Sequence, residues 1–485
     1  MKKHFNYTLL VAFLLTIAGC GDFGDLNISP NSSETPLTSA LLTNSITGFA
    51  SAVSTAKPSL FCQYRSQTQY TDASRYQFDP TEWEGEYVGS IYDLQNIINI
   101  NTDEATAAIA ALNGANANQI AIARILKAYR FSVMTDRYGD IPYSEALTTN
   151  IIPVFDPQES IYMDLFNELD GAVKQFEEGG IPVKGDILLN GDLTWWKKFA
   201  NSWRLILALR ISNVDETTGA AQANAAISAA GGLISDNAEN VMLTYPGGAF
   251  NSPWYSVGGD YGVSSSVADM LNDLNDERLN AYGTPHNGEL IGVPYGLQRQ
   301  DAINWTTANP DWSLVLANPF REQEGSIYLV TFADVALALA EASQRGWITL
   351  TGDIASTFGS TTEAVYNKGI EASWKQWEVF EQAAFDNYIT QTSITLTDGD
   401  PFEKIGNQRW LAFFPNGFQG WSEWRRTGFP VLAPAPEPLN NSKKIPVRYV
   451  YPTSEYNRNG LNLQNAIDLL GGGDTDASPV WWDVD

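Results

Sequence analysis

Trp195 to Arg210 reads WWKKFANSWRLILALR, and its periodicity decides the class of fold. Trp196, Phe199, Trp203, Ile206 and Arg210 fall on one face of a 3.6-residue helix, so the segment predicts an amphipathic helix packed on a core. A row of bulky apolar groups at this spacing marks packing rather than a ligand platform. The same pattern recurs outward in both directions. Ile122, Ile125, Leu126, Tyr129 and Val133 form a second stripe; Ile161, Leu165, Leu169, Val173 and Phe176 form a third. Leu41, Ile46 and Phe49, then Ile91, Leu94 and Ile98, mark earlier amphipathic segments. Val330 to Glu341 and Ala364 to Phe385 mark later ones. Strand-like runs are few and short, Ile445 to Tyr451 being the clearest. The chain is expected to be mainly α, a platform of helical hairpins with long irregular loops.

Composition narrows the partners. The 485 residues carry 56 acidic and 29 basic side chains, a formal charge of −27. A nucleic acid needs a basic footprint, so it is excluded as a partner, and anionic ligands are disfavoured by the same field. The chain starts Met1-Lys2-Lys3-His4, with an apolar stretch from Leu9 to Ile17 and then Ile17-Ala18-Gly19-Cys20. This stretch is too short to span a bilayer and reads as a secretory signal. Its end resembles a bacterial lipobox, which implies lipidation of Cys20. Residues 1–19 are then the signal peptide, 20–36 a polar tether, and 37–485 a single folded domain. Loss of Lys2 and Lys3 takes the net charge from −27 to −29. With Cys20 lipidated, Cys62 stands alone and no internal disulfide forms, so a large core must hold the fold.

After processing, His286 is the one histidine left, in the loop sequence Gly283-Thr284-Pro285-His286-Asn287-Gly288. Zinc clusters and HExxH helices have no residues to build them, and no cofactor or metal is expected. Asp269, Asp273, Asp276 and Glu277 form an acidic cluster whose spacing at Asp273, Asn275 and Glu277 hints at a calcium loop, but Arg278 stands where an EF-hand needs glycine. Glu82, Glu84 and Glu86 read as a solvated acidic face. No catalytic constellation emerges.

Four stretches act together: Thr135 to Tyr143 (TDRYGDIPY); Trp195 to Arg210; Asn407-Gln408-Arg409-Trp410 with Gly420 to Gly428 (GWSEWRRTG); and Ile445-Pro446-Val447-Arg448-Tyr449 with Tyr451-Pro452, Glu455 and the closing Val480-Trp481-Trp482-Asp483. With the lipobox, they resemble the SusD/RagB outer-membrane lipoproteins of Bacteroidetes over the whole mature chain. The resemblance implies a tetratricopeptide-like platform on the outer face of the outer membrane. It also implies capture of glycans for a SusC-like TonB-dependent transporter, without catalysis. The residues themselves read as structural. Gly139 permits a positive φ at a helix end, and Pro142 blocks continuation. Arg425 and Arg426 are placed to bridge buried carboxylates such as Asp136, Glu341 or Glu423.

A sugar ring offers an apolar C–H face and a rim of hydroxyls, matched by exposed flat aromatics with amide and guanidinium neighbours. The loops Tyr245–Val263 and Pro285–Asn318 are rich in Gly, Pro, Asn and aromatics. They nominate Trp254, Tyr255, Trp305 and Trp312, with Trp83 ahead of a helix, and Arg75, Tyr76 and Gln298 as polar companions. An oligosaccharide ligand is expected; a peptide, as in RagB-like proteins, is the alternative, and a glycoside hydrolase the more distant one.

Overall fold

The structure is a computed structural model that describes residues 36–484. The signal segment, Cys20 and nearly all of the tether lie outside the described residues. The longer helices are α1 (Thr38–Thr47), α2 (Tyr92–Thr102), α3 (Asn116–Tyr138), α4 (Gln158–Gln175), α5 (Leu193–Arg210), α6 (Glu216–Ser228), α7 (Ser265–Leu274) and α8 (Arg299–Ala308). They continue with α9 (Phe332–Gln344), α10 (Thr362–Gln376), α11 (Pro401–Ala412), α12 (Gly417–Thr427) and α13 (Gly460–Leu469). Chain neighbours pack together: α3 with α4, α5 with α6, α9 with α10 and α11 with α12. This is the expected hairpin platform.

Local sequence explains the boundaries. Asp192 caps α5, its carboxylate accepting from Trp195 N at 3.0 Å. Trp196, Phe199, Trp203, Ile206 and Arg210 are all buried, so the stripe is core. α3 stops at Gly139, whose φ of +82° suits glycine. Gly369 lets α10 approach α9, because a Cβ there would stand 2.6 Å from Leu337 Cγ.

The few strands form three antiparallel pairs: β1 (Arg65–Gln67) with β5 (Tyr261–Val263), β2 (Ile141–Pro142) with β3 (Phe155–Asp156), and β4 (Val241–Thr244) with β6 (Ser326–Val330). Residues 445–451 are not a strand. Their backbone bonds go to an irregular segment, Val447 N to Asp476 O, and to the last turn of α3, Tyr449 N to Arg137 O, so extended chain here lacks a ladder partner.

Buried charge stitches distant helices together. Arg426 bonds both Glu341 on α9 and Glu423 on its own helix, and Arg409 on α11 bonds Glu423. Arg425 reaches Asp136 through the backbone carbonyl, while the Asp136 carboxylate takes Arg210, Tyr162 and Trp482. The acidic stretch before α2 departs from expectation at one position. Glu86 is not solvated; it pairs with Arg130 at 3.3 Å and Arg137 at 3.5 Å. Burial disfavours its charge, but the Arg137 and Arg130 guanidiniums prevail and hold its carboxyl below the usual range. Asp276 spends its carboxylate on Arg278, Nη2–Oδ2 2.6 Å, both fully buried, so a guanidinium fills the place of the cation that the acidic cluster suggested.

Candidate functional site: an aromatic shelf on the loop face

The pairing of β1 with β5 sets the site, with Arg65 opposite Val263 and Gln67 opposite Tyr261. Gly262 is required here. A Cβ at that position would stand 2.4 Å from Val293 Cγ2 and 3.0 Å from Trp312 Cε3, so its absence lets the Trp312 ring lie on the strand. Beneath, the buried Arg65 guanidinium sits 5.1 Å from the Trp254 ring centre and 5.9 Å from that of Tyr261. Burial lowers the Arg65 guanidinium to about 10, and the group stays charged at neutral pH. Past β1 the chain exposes Tyr70, with the Arg299 guanidinium 4.8 Å over its ring.

The turn that follows brings polar groups to the same edge. Ser74 N donates to Gln67 Oε1 at 2.9 Å, fixing the turn to the strand. Arg75 Nε donates to the Glu437 carbonyl at 2.9 Å, and Gln298 Nε2 donates to the Glu437 carboxylate. Gln298 immediately precedes α8, which carries Trp305. Asn309 N bonds Trp305 O and Trp312 N bonds Asn309 O, so a single turn spaces the two tryptophans.

The nominated residues divide. Trp305 and Trp312 are half-buried, Tyr255 and Gln298 are exposed, and Arg75 is partly exposed. Trp305 lies on a helix rather than in irregular loop. Three nominations to an exposed role are corrected. Trp83 is 3% exposed, because Tyr138 at 4.9 Å and Phe155, Tyr87 and Tyr451 within 6.0 Å close over its ring. Its Nε1 donates to Glu455 at 3.1 Å, and it contributes to the wall of a cavity of about 460 Å³ with Val88, Tyr92 and Ile151. Trp254 is 2% exposed and anchors its loop on Arg65. Tyr76 is buried against Tyr295, its hydroxyl accepting from Ala435 N at 3.0 Å.

Sequence reasoning missed Tyr70, Tyr261 and Arg299. Tyr70 stands between Gln69 and Thr71 with no apolar periodicity around it, and that local polarity was the available signal. His286 lies in a surface loop 3.6 Å from Asp311, both exposed. Among the described residues no group of three His, Cys, Asp or Glu is placed to hold a metal. The arrangement offers flat rings, amides and guanidiniums, which is the equipment of a binding surface.

The chain belongs to the SusD-like_2 family, described as "Starch-binding associating with outer membrane", which it matches over residues 30–452. Among solved structures it resembles a chitin-binding protein at 29% identity, with a TM-score of 0.78, covering 92% of this chain and 100% of that one. A SusD homolog from Bacteroides uniformis shares 25% identity, with a TM-score of 0.77, over 92% and 99% of the two chains. A chitin-binding SusD homolog from Flavobacterium johnsoniae has the same fold at 23% identity, TM-score 0.77, over 92% and 98%. No curated protein matches the chain.

Proposed function

We propose that the protein is a cell-surface lipoprotein that captures oligosaccharide on this shelf and delivers it to a SusC-like TonB-dependent transporter. The observation that carries the reading is that Tyr255, Trp305 and Trp312 keep partly open rings, while Arg75 and Gln298 meet at Glu437 with Gln298 at the start of the helix that carries Trp305. Rings meet the C–H faces of a sugar, while guanidinium and amide groups meet its hydroxyls. Membership of a family described as starch-binding, and likeness to chitin-binding proteins, support a glycan as the ligand class. Lipidation of Cys20 would anchor the body to the outer membrane; no helix among the described residues is long and apolar enough to cross a membrane. The shelf binds rather than cleaves, its chemistry being stacking and hydrogen bonding.

Titrating the lipid-free protein against a glycan panel and a peptide panel tests the reading. Saturable binding by a glycan, with no shortened product after incubation, is the expected result. Binding confined to peptides would replace the ligand class, and product formation would replace binding by hydrolysis.

A further inference from the structure

The cavity of about 460 Å³ beside Trp83 is formed by residues 83–92, 142–153 and 454–459, and it shares no lining residue with the shelf. That size falls within the range of small-molecule sites, about 300–1,000 Å³. Its walls are largely apolar and open: Ile151 leaves 90% of its surface to solvent, Val88 66% and Tyr92 45%, and Leu147 and Pro153 add to them. Apolar side chains left this open around one concavity, with charge at the rim, mark a surface made to be covered. Glu455, on the short helix Thr453–Arg458, belongs to the same lining. It is half-buried; its Oε1 accepts from Trp83 Nε1 at 3.1 Å, while Oε2 has no protein partner and stays reachable from solvent.

The charges define the occupant. Arg458 is spent on Glu84 at 3.0 Å, and Glu82 accepts from Ser454 Oγ, so among the described residues neither Glu455 nor Glu82 touches a cation. Burial above all, then the charges of Glu82 and Glu84, raise the Glu455 carboxyl against the opposing pull of Trp83 Nε1–H and Arg458. A neutral apolar ligand covering these walls would strip water from that carboxylate and return nothing for it. An anion would meet a field of its own sign. A bare metal ion needs several converging oxygens, and no three acids among the described residues are placed to hold one. An ammonium on an apolar body satisfies both demands, since it pairs with the free oxygen while its body covers the walls. We infer that this cavity binds a small organic cation, its ammonium on Glu455 Oε2 and its apolar body against Val88, Tyr92 and Ile151. The site is independent of what the shelf binds.

The test is titration of the lipid-free protein with benzylamine, phenethylamine and hexylamine, read by calorimetry and ligand-observed NMR. Benzyl alcohol and benzoate serve as the neutral and anionic matches. Salt at about 0.15 M screens the acidic surface at large. Glu455→Gln removes the charge but keeps an oxygen for Trp83 Nε1–H, so the melting temperature holds. Ile151→Lys, at an exposed position, takes away an apolar contact and sets a tethered ammonium at the rim. Trp305→Ala damages the shelf alone. Saturable binding is expected for at least one amine, about tenfold weaker for benzyl alcohol and in Glu455→Gln, absent for benzoate, weakened in Ile151→Lys and retained in Trp305→Ala. No saturable binding of any of the three amines overturns the proposal. So does equal binding of benzyl alcohol or benzoate, undiminished binding by either cavity variant, or loss in Trp305→Ala, which would put the amine on the shelf instead.

Discussion

Arg426 clasps Glu341 in a two-pronged contact, Nη1–Oε1 2.6 Å and Nη2–Oε2 2.7 Å, joining residues 85 positions apart. A second prong-bearing arginine, Arg409, lies 3.6 Å from the same carboxylate and bonds Glu423 at 2.7 Å. The network therefore docks α9, α11 and α12 at one point. Burial penalises the charge on Glu423, but the Arg409 and Arg426 guanidiniums outweigh it and hold that carboxyl far below the ordinary range.

Removing one member strands the others. Arg426→Met leaves buried Glu341 with Arg345, at 3.0 Å, and the more distant Arg409, and leaves Glu423 with Arg409 alone; the expected loss is about 3–5 kcal/mol. Arg426→Lys keeps the charge but cannot make both prongs, so it falls between the two. Urea denaturation measures both. An Arg426→Met protein within about 0.5 kcal/mol of wild type would show that the network contributes nothing to docking.

The aromatic residues separate by the response they give to truncation. Trp83→Ala and Trp254→Ala empty packed sites and are expected to cost about 3–5 kcal/mol each. Trp305→Ala and Tyr255→Ala remove partly open rings. They are expected to weaken glycan binding about tenfold, a stacking contribution near 1.4 kcal/mol, while the melting temperature moves by only about 2 °C. Glycan titration beside thermal melting distinguishes the two pairs. Full binding by Trp305→Ala and Tyr255→Ala together would remove the shelf from the mechanism.

The helices were legible because their signal is local. Trp196, Phe199 and Trp203 declare their burial within two turns of one segment, and all three are core. Trp83 failed for the opposite reason: the groups that cover it include Tyr138 and Tyr451, and its hydrogen-bond partner is Glu455, 372 positions away. Its own neighbours, Glu82 and Glu84, suggested solvent. Trp254 is likewise hidden by a strand arginine far up the chain. Glu86 looked solvated beside Glu84 because the two arginines that hold it lie a helix away on α3. Ile445 to Tyr451 alternates as a strand does, yet a strand also needs a neighbour, and no periodicity within seven residues reports one. The buried arginine network was foreseeable in kind, since a guanidinium pair inside an apolar segment needs carboxylates. Its assignment of Asp136 to Arg210 rather than to adjacent Arg137 required the folded geometry.

The proposed membrane attachment turns on one thiol. If Cys20 carries the anchor, Cys20→Ala is expected to release the mature body into the soluble fraction, because several acyl chains there would each contribute about 0.8 kcal/mol per buried methylene. Fractionation with and without detergent reads this directly. Continued retention that only detergent reverses would mean that another feature holds the protein to the membrane.

Asp334 links stability to pH. It sits in the first turn of α9 in a capping box, its Oδ2 accepting from Thr331 N at 2.9 Å while Thr331 Oγ1 accepts from Asp334 N at 3.2 Å. Oδ1 is buried without a partner, and burial pushes the carboxyl up from 3.8 to about 7. Between about pH 4 and about pH 7 the folded state thus retains a proton that the unfolded chain releases. Stability from this group is whole below that window, declines as pH rises through it, and is lost above. Asp334→Asn keeps an oxygen for Thr331 N–H and cannot ionise. The variant is expected to match wild type near pH 4 and to exceed it progressively up to pH 8, with the gap in urea midpoint opening through the window. A gap that stays constant from pH 4 to 8 would show that folding does not raise the Asp334 carboxyl.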